Sequence, residues 1–201
     1  MKEFWNNRYS AVEYVYGTHP NAFYKESLDN LEPGKILFVG EGEGRNAVYA
    51  AKQGWEVSAF DSSEVARNKA LNWAETNKVG LQYEVIDALS TQYPDNYFDC
   101  LVFIFVHPPK ALRRTFHQHL LKSLKPGGKV IFEGFAKKQI ELNTGGPRNI
   151  DMLFSKNDIF DDFSHCILNL DVQEREIELD EGKHHVGNAQ VIRFFDKKMK
   201  E

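Results

Sequence analysis

Lys35-Ile36-Leu37-Phe38-Val39-Gly40-Glu41-Gly42-Glu43-Gly44-Arg45-Asn46-Ala47-Val48-Tyr49-Ala50-Ala51 is the stretch that decides the fold. A short apolar run passes through three alternate glycines and becomes a helical pattern. That order is strand, tight turn and helix, the opening unit of a nucleotide-binding α/β sheet. Glycine permits the sharp turn and lets a ligand come close to the main chain. The helix that follows is expected to aim its free N–H groups at the same spot.

The spacing narrows the ligand. Dinucleotide sites read G-x-G-x-x-G and seat a pyrophosphate on the helix N-terminus. Here the glycines fall as G-x-G-x-G, and Glu41 and Glu43 stand between them. Two carboxylates repel pyrophosphate and tolerate a cationic ligand. S-adenosylmethionine, with an ammonium, a sulfonium and no phosphate, suits such a loop.

The chain of 201 residues is long enough for one domain with a substantial core. Hydrophobic residues are 42% and charged residues 27%, an ordinary globular balance. A net charge of −4 does not mark an electrostatic nucleic-acid binder. Cys100 and Cys166 lie in apolar runs, are expected as buried free thiols, and form no metal-ligand spacing, so no metal is expected. The apolar run at 100–106 is too short to cross a bilayer, and Met1-Lys2-Glu3-Phe4-Trp5 has no secretory character. A soluble, cytoplasmic protein is expected. The sequence does not set the oligomeric state, and a monomer is compatible with it.

Residues 1–34 precede the first strand and are rich in aromatics, among them Trp5, Tyr9 and Tyr16. A helix is expected near 21–30, and the segment is read as an aromatic lid that excludes water from a site. Residues 35–201 form the core. Strand 1 is expected at 35–39, helix at 45–53, strand 2 at 55–60, helix at 63–77 and strand 3 at 81–86. Strand 4 follows at 100–106, helix at 110–124, strand 5 at 129–135, helix at 152–163, and a hairpin at 165–178 and 186–195.

Asp61 stands seventeen residues beyond Gly44, where strand 2 ends, the position of a ribose-binding acid, with Ser62 beside it. Asp87 and Ala88 follow strand 3, where a side chain can meet an adenine edge. Phe105 closes strand 4, where an aromatic face favours a sulfonium by about 0.5–2 kcal/mol. His107, before Pro108-Pro109, is the best-placed titratable side chain for a base, and Arg8 is suited to an anionic substrate. His184 and His185 lie in the hairpin loop and are expected to be solvated.

This order of parts resembles a class I S-adenosylmethionine-dependent methyltransferase. Gly40 to Ala47 looks like its motif I, Asp61 and Asp87 match its acidic positions, and Leu124-Lys125-Pro126-Gly127-Gly128 is similar to its turn before strand 5. More narrowly, the chain resembles the tellurite-resistance and thiopurine methyltransferase-like group. That likeness rests on Phe4-Trp5-Asn6-Asn7-Arg8-Tyr9, Tyr14-Val15-Tyr16-Gly17, Phe105-Val106-His107, Gly145-Gly146-Pro147, Glu181-Gly182 and His185. Phe38 stands where the family often has an acid.

The resemblance implies a Rossmann-like α/β fold with a seven-stranded sheet. The sheet is mostly parallel, with an antiparallel C-terminal hairpin strand and helices on both faces. It also implies S-adenosyl-L-methionine as cofactor, held by Gly40, Glu41, Gly42, Gly44, Asn46, Asp61, Ser62, Asp87, Ala88 and Phe105. The acceptor is expected to be a small molecule in a pocket with Trp5, Tyr9, Tyr16 and His185, with His107 and Arg8 as catalytic candidates. Val106-His107-Pro108-Pro109 is similar to the turn of nucleic-acid amino methyltransferases, which carry Asn or Asp before the prolines and an aromatic after. Here His107 and Lys110 fill those places, so no nucleic-acid acceptor is expected. The alternative function is a non-catalytic binder of S-adenosylmethionine or S-adenosylhomocysteine.

Overall fold

The computed structural model describes residues 2–167 and 169–200; Met1, Leu168 and Glu201 of the expected spans lie outside them. Seven strands form one sheet: β1 (Lys35–Val39), β2 (Glu56–Asp61), β3 (Gln82–Val85), β4 (Phe98–Ile104), β5 (Leu124–Phe135), β6 (Gln173–Asp180) and β7 (Val186–Lys197). Their spatial order is β3-β2-β1-β4-β5-β7-β6. β2 and β4 both run parallel to β1, whereas β7 runs antiparallel to β5 and to β6. This is the mostly parallel Rossmann-like sheet with one antiparallel strand from the C-terminal hairpin. The strand order reverses at β1, which opens a crevice beyond the carboxyl ends of β1 and β4.

Alternation along β1 builds both faces of the core. Ile36 and Phe38 pack with Tyr24 and Leu28 of α2 (Ala22–Leu28) and Ala47 and Ala50 of α3 (Arg45–Lys52). Leu37 and Val39 face Phe116 and Leu120 of α5 (Lys110–Leu121) and Ile159 and Phe163 of α6 (Lys156–Phe163). Phe38 is fully buried, so the place of the family's acid is a core position here. Cys100 is buried and Cys166 half-buried, both as free thiols.

Several boundaries differ from expectation. A helix not expected from the sequence, α1, covers Lys2–Tyr9. β4 ends at Ile104 because Phe105 turns to φ 55°, a left-handed value that stops the ladder. β5 begins at Leu124, which pairs with Phe98; the ladder then skips 125–128, where Gly127 turns to φ 78°, and resumes at Lys129 opposite Cys100. α6 starts at Lys156, not at 152, because Ser155 and Asp158 form a capping box. The hairpin's first strand starts at Gln173. Ile167 instead makes an isolated bridge to Lys198. α4 (Glu64–Thr76) takes Ser63 as its N-cap, with Ser63 Oγ accepting from Ala66 N–H at 3.1 Å.

Candidate functional site

One large cavity, about 1310 Å³, opens at the carboxyl ends of β1, β2 and β4. Each of the expected cofactor and pocket residues lies on its wall except Gly44, which sits one step behind, its place for a Cβ filled 2.7 Å away by Ala70.

 Gly44 is thus the one expected residue set back from the wall, and Arg8 and His107 also line the cavity.

The glycine loop is held from below. Asp61, at the last position of β2, is buried, and its Oδ2 accepts from Gly42 N–H at 3.1 Å while its Oδ1 accepts from Ser63 N–H at 2.9 Å. Burial raises the Asp61 pKa, and the amides of Ser63 and Gly42 oppose that rise. Gly42 has φ 65°, and a Cβ there would stand 2.7 Å from the Tyr9 hydroxyl, so only glycine lets the loop pass under this ring.

Glu41 corrects one expectation. Its Oε1 accepts from Asn46 N–H at 2.9 Å and Ala47 N–H at 2.7 Å, so the α3 N-terminus is closed by a carboxylate and offers no open anion site. Burial pushes the Glu41 pKa up to about 7, against the pull of those amides and Arg45. Glu43, on the same wall, is already paired, with Lys69 and with Val15 N–H. Asn46 is buried and braces the loop, its Oδ1 accepting from Asn21 N–H at 2.9 Å.

Beyond the loop, Ser62 is half-buried beside Asp61, and Asp87 is exposed at the rim, its Oδ1 accepting from Leu89 N–H. Phe105 is stacked on Phe135 with centroids 4.5 Å apart and meets the His185 ring edge-on at 4.8 Å. Its left-handed backbone costs about 1–2 kcal/mol and is offset in part by Phe105 N–H donating to Glu133 O at 2.7 Å. Trp5 and Tyr9 stack at 5.5 Å, and Tyr16 lies 4.6 Å from His185. Arg8 reaches the Tyr16 hydroxyl at 3.4 Å.

The two histidines exchange expected roles. Both nitrogens of His107 are occupied: Nδ1 donates to Met152 O at 2.8 Å and Nε2 accepts from Phe135 N–H at 3.2 Å. Burial, despite the Met152 bond, lowers its pKa to about 4, so it is a neutral pin between loops and not a free base. His185 is not solvated but buried, whereas His184 is exposed. His185 Nδ1 lies 3.3 Å from Glu181 Oε2, and its Nε2 has no hydrogen-bond partner among the described residues. Burial lowers the His185 pKa, and Glu181 opposes this. Glu181 is itself drawn down to about 2: burial works to raise it, and the bonds from His185 and Arg45 prevail.

Arg45 is a site residue the sequence reading missed. It is buried on the cavity wall and binds Glu181 Oε2 at 2.8 Å. Its place directly after the third glycine was the available signal, since a charge there must find a partner once the helix packs.

The geometry fits an adenosyl donor: a glycine cradle that a Cβ would fill, a buried acid under it, and an aromatic wall beyond. Residues 36–128 match the methyltransferase domain family. A tRNA (uracil(54)-C(5))-methyltransferase of Pyrococcus abyssi is 33% identical over 140 residues, 63% of this chain and 32% of that protein. Phosphoethanolamine N-methyltransferase 3 of Arabidopsis thaliana is 35% identical over 121 residues, 56% of this chain and 24% of that one. The chain thus spans a third or less of the length of these curated relatives. The N-methyltransferase NodS of Bradyrhizobium japonicum WM9, solved in complex with S-adenosyl-L-homocysteine, superposes with a TM-score of 0.74. That match covers 98% of this chain and 97% of NodS at 13% identity, a likeness of fold. The sheet order and the match of residues 36–128 together give the chain a Rossmann-like, methyltransferase-type fold, in which the matched segment is similar to the methyltransferase domain family.

Proposed function

We propose that the protein transfers a methyl group from S-adenosylmethionine to a small-molecule acceptor. The observation that carries this reading is the cavity of about 1310 Å³, which joins the glycine loop and Asp61 to an aromatic wall. Pockets for one small ligand run to about 300–1,000 Å³, so this volume has room for a donor and an acceptor together. Asp61 and the backbone of Gly40 and Gly42 would hold the donor's adenosyl part, with Ser62, Asp87 and Ala88 beside them. When bound, the donor supplies a methyl group on positively charged sulfur.

The chain's own residues align the acceptor and exclude water. Phe105 offers a ring face near the reacting end, and Trp5, Tyr9 and Tyr16 cover it. His185, held by Glu181 in the tautomer with hydrogen on Nδ1, takes a proton at Nε2 from an acceptor that carries one. Arg8 favours an anionic acceptor, such as a thiolate or a chalcogen oxyanion. These features support the finer likeness to the tellurite-resistance and thiopurine methyltransferase-like group.

The RNA-acting relative keeps a tRNA acceptor in view, against the net charge of −4. Turnover of methyl-labelled donor with thiols, selenite, tellurite and, separately, unmodified tRNA tests the reading. Label in a small acceptor supports it. Label in tRNA alone overturns it, and donor binding without turnover across the panel favours a non-catalytic binder.

A further inference from the structure

The Glu43 carboxylate leads from the cavity wall to Lys69, a residue behind it. Its Oε2 accepts from Val15 N–H at 2.7 Å, and its other oxygen pairs with the Lys69 ammonium of α4. The same ammonium donates to three carbonyls at the end of α1 and just beyond: Tyr9 O at 3.4 Å, Ala11 O at 2.9 Å and Glu13 O at 2.7 Å. Lys69 is the residue that gathers this segment, and Tyr14 folds back on it, its hydroxyl donating to Lys69 O at 3.1 Å. The pair is enclosed, with side chains 15% and 3% exposed.

One cation therefore links two things that the sequence separates widely. The first is the main chain of residues 9–15, which carries Tyr9 and leads to Tyr16. The second is the glycine loop, since Glu43 stands between Gly42 and Gly44. The segment is also held by a small cluster of Tyr9, Val15 and Ala66 with Trp5, Tyr16 and Val65 against it, by the bond from Ser63 Oγ to Asn6 Oδ1 at 2.7 Å, and by Lys183 N–H donating to Val15 O at 3.2 Å. An ammonium has three donors to share among carbonyls and carboxylate, and a neutral side chain has none to replace them.

We infer that Lys69 is a positioning residue, which through Glu43 sets the aromatic α1 segment against the donor loop, so that the cover and the loop are ordered together. This rests on the adenosyl-donor reading above. Lys69 touches neither donor nor acceptor. Its effect reaches the site through the contact of Tyr9 with Gly42.

The test uses the full chain with Lys69→Met, Lys69→Arg and Glu43→Gln. Two quantities are read: S-adenosylhomocysteine affinity by calorimetry, and the rate of chymotrypsin cleavage at Tyr9, Tyr14 and Tyr16 with and without that ligand. Lys69→Met is expected to weaken binding by about tenfold or more, and to speed cleavage at these tyrosines by a similar factor. Lys69→Arg, which still offers donors to the same oxygens, is expected to recover most of both. Glu43→Gln keeps an acceptor for Val15 and loses the charge, and it moves both readouts in the same direction as Lys69→Met. Should Lys69→Met fail to fold, Glu43→Gln decides the matter. Wild-type affinity together with wild-type cleavage rates in the charge-removing variants overturns the inference. If the wild type itself binds no S-adenosylhomocysteine, the donor reading falls, while the ligand-free cleavage rates still decide the role of Lys69.

Discussion

Asp61 Oδ2 accepts the Gly42 N–H at 3.1 Å, which ties the end of β2 to the loop that follows β1. The acid expected to bind ribose also holds the loop that must receive the rest of the donor. A carboxylate has about four lone-pair sites, so bonds to Gly42 and Ser63 leave capacity for two hydroxyls. Asp61→Ala is expected to weaken S-adenosylhomocysteine binding by about 1–3 kcal/mol, measured by calorimetry. Unchanged affinity would remove Asp61 from the site.

Gly42→Ala tests the cradle. A residue with a Cβ at φ 65° costs about 1–2 kcal/mol, and the new methyl would stand 2.7 Å from the Tyr9 hydroxyl. A lower melting temperature and weaker ligand binding are expected together. Combining it with Tyr9→Phe should restore part of the loss, because the hydroxyl is the nearest obstacle.

The core of this arrangement was legible in the sequence because it is local. The G-x-G-x-G spacing, Asp61 after a strand and Phe105 after another are set by backbone needs within a few residues. The seven-stranded, mostly parallel sheet with its antiparallel hairpin strand followed from the resemblance and is the sheet found. What was not legible depends on partners far along the chain. His107 looked available until Met152 and Phe135 took its two nitrogens. His185 looked solvated until the β6–β7 turn folded under Tyr16 and Phe105. Glu43 looked like a ligand-facing charge until Lys69 claimed it. α1 was missed because its sequence is polar on most sides and gives no clear period.

The two histidines should separate in kinetics. His107→Asn is expected to lower stability by about 1–3 kcal/mol, the cost of disturbing two buried hydrogen bonds, while leaving the acid limb of the pH–rate profile in place. His185→Gln is expected to abolish that limb for an acceptor that must lose a proton, and to spare a pre-ionised thiolate. The reverse pattern would return the base to His107.

Acid should weaken the fold through His107. Its folded pKa is about 4, below the unfolded value of about 6.5, so the unfolded state binds the proton first. The contribution is full above pH about 6.5 and is lost as pH falls toward 4, by up to about 3 kcal/mol. Glu133 acts on the other side. Burial raises it to about 7, so its share is full below its unfolded pKa and fades as pH climbs through 7. Urea denaturation across pH 4–8 checks both signs: His107→Asn should flatten the acid slope and Glu133→Gln the neutral one.

A crystal structure with S-adenosylhomocysteine tests the account's central claim most directly. The ligand is expected along residues 40–46, with its ribose hydroxyls on the Asp61 carboxylate and its sulfur facing the wall of Phe105 and His185. A ligand bound elsewhere, or a ribose that leaves Asp61 untouched, would contradict the account.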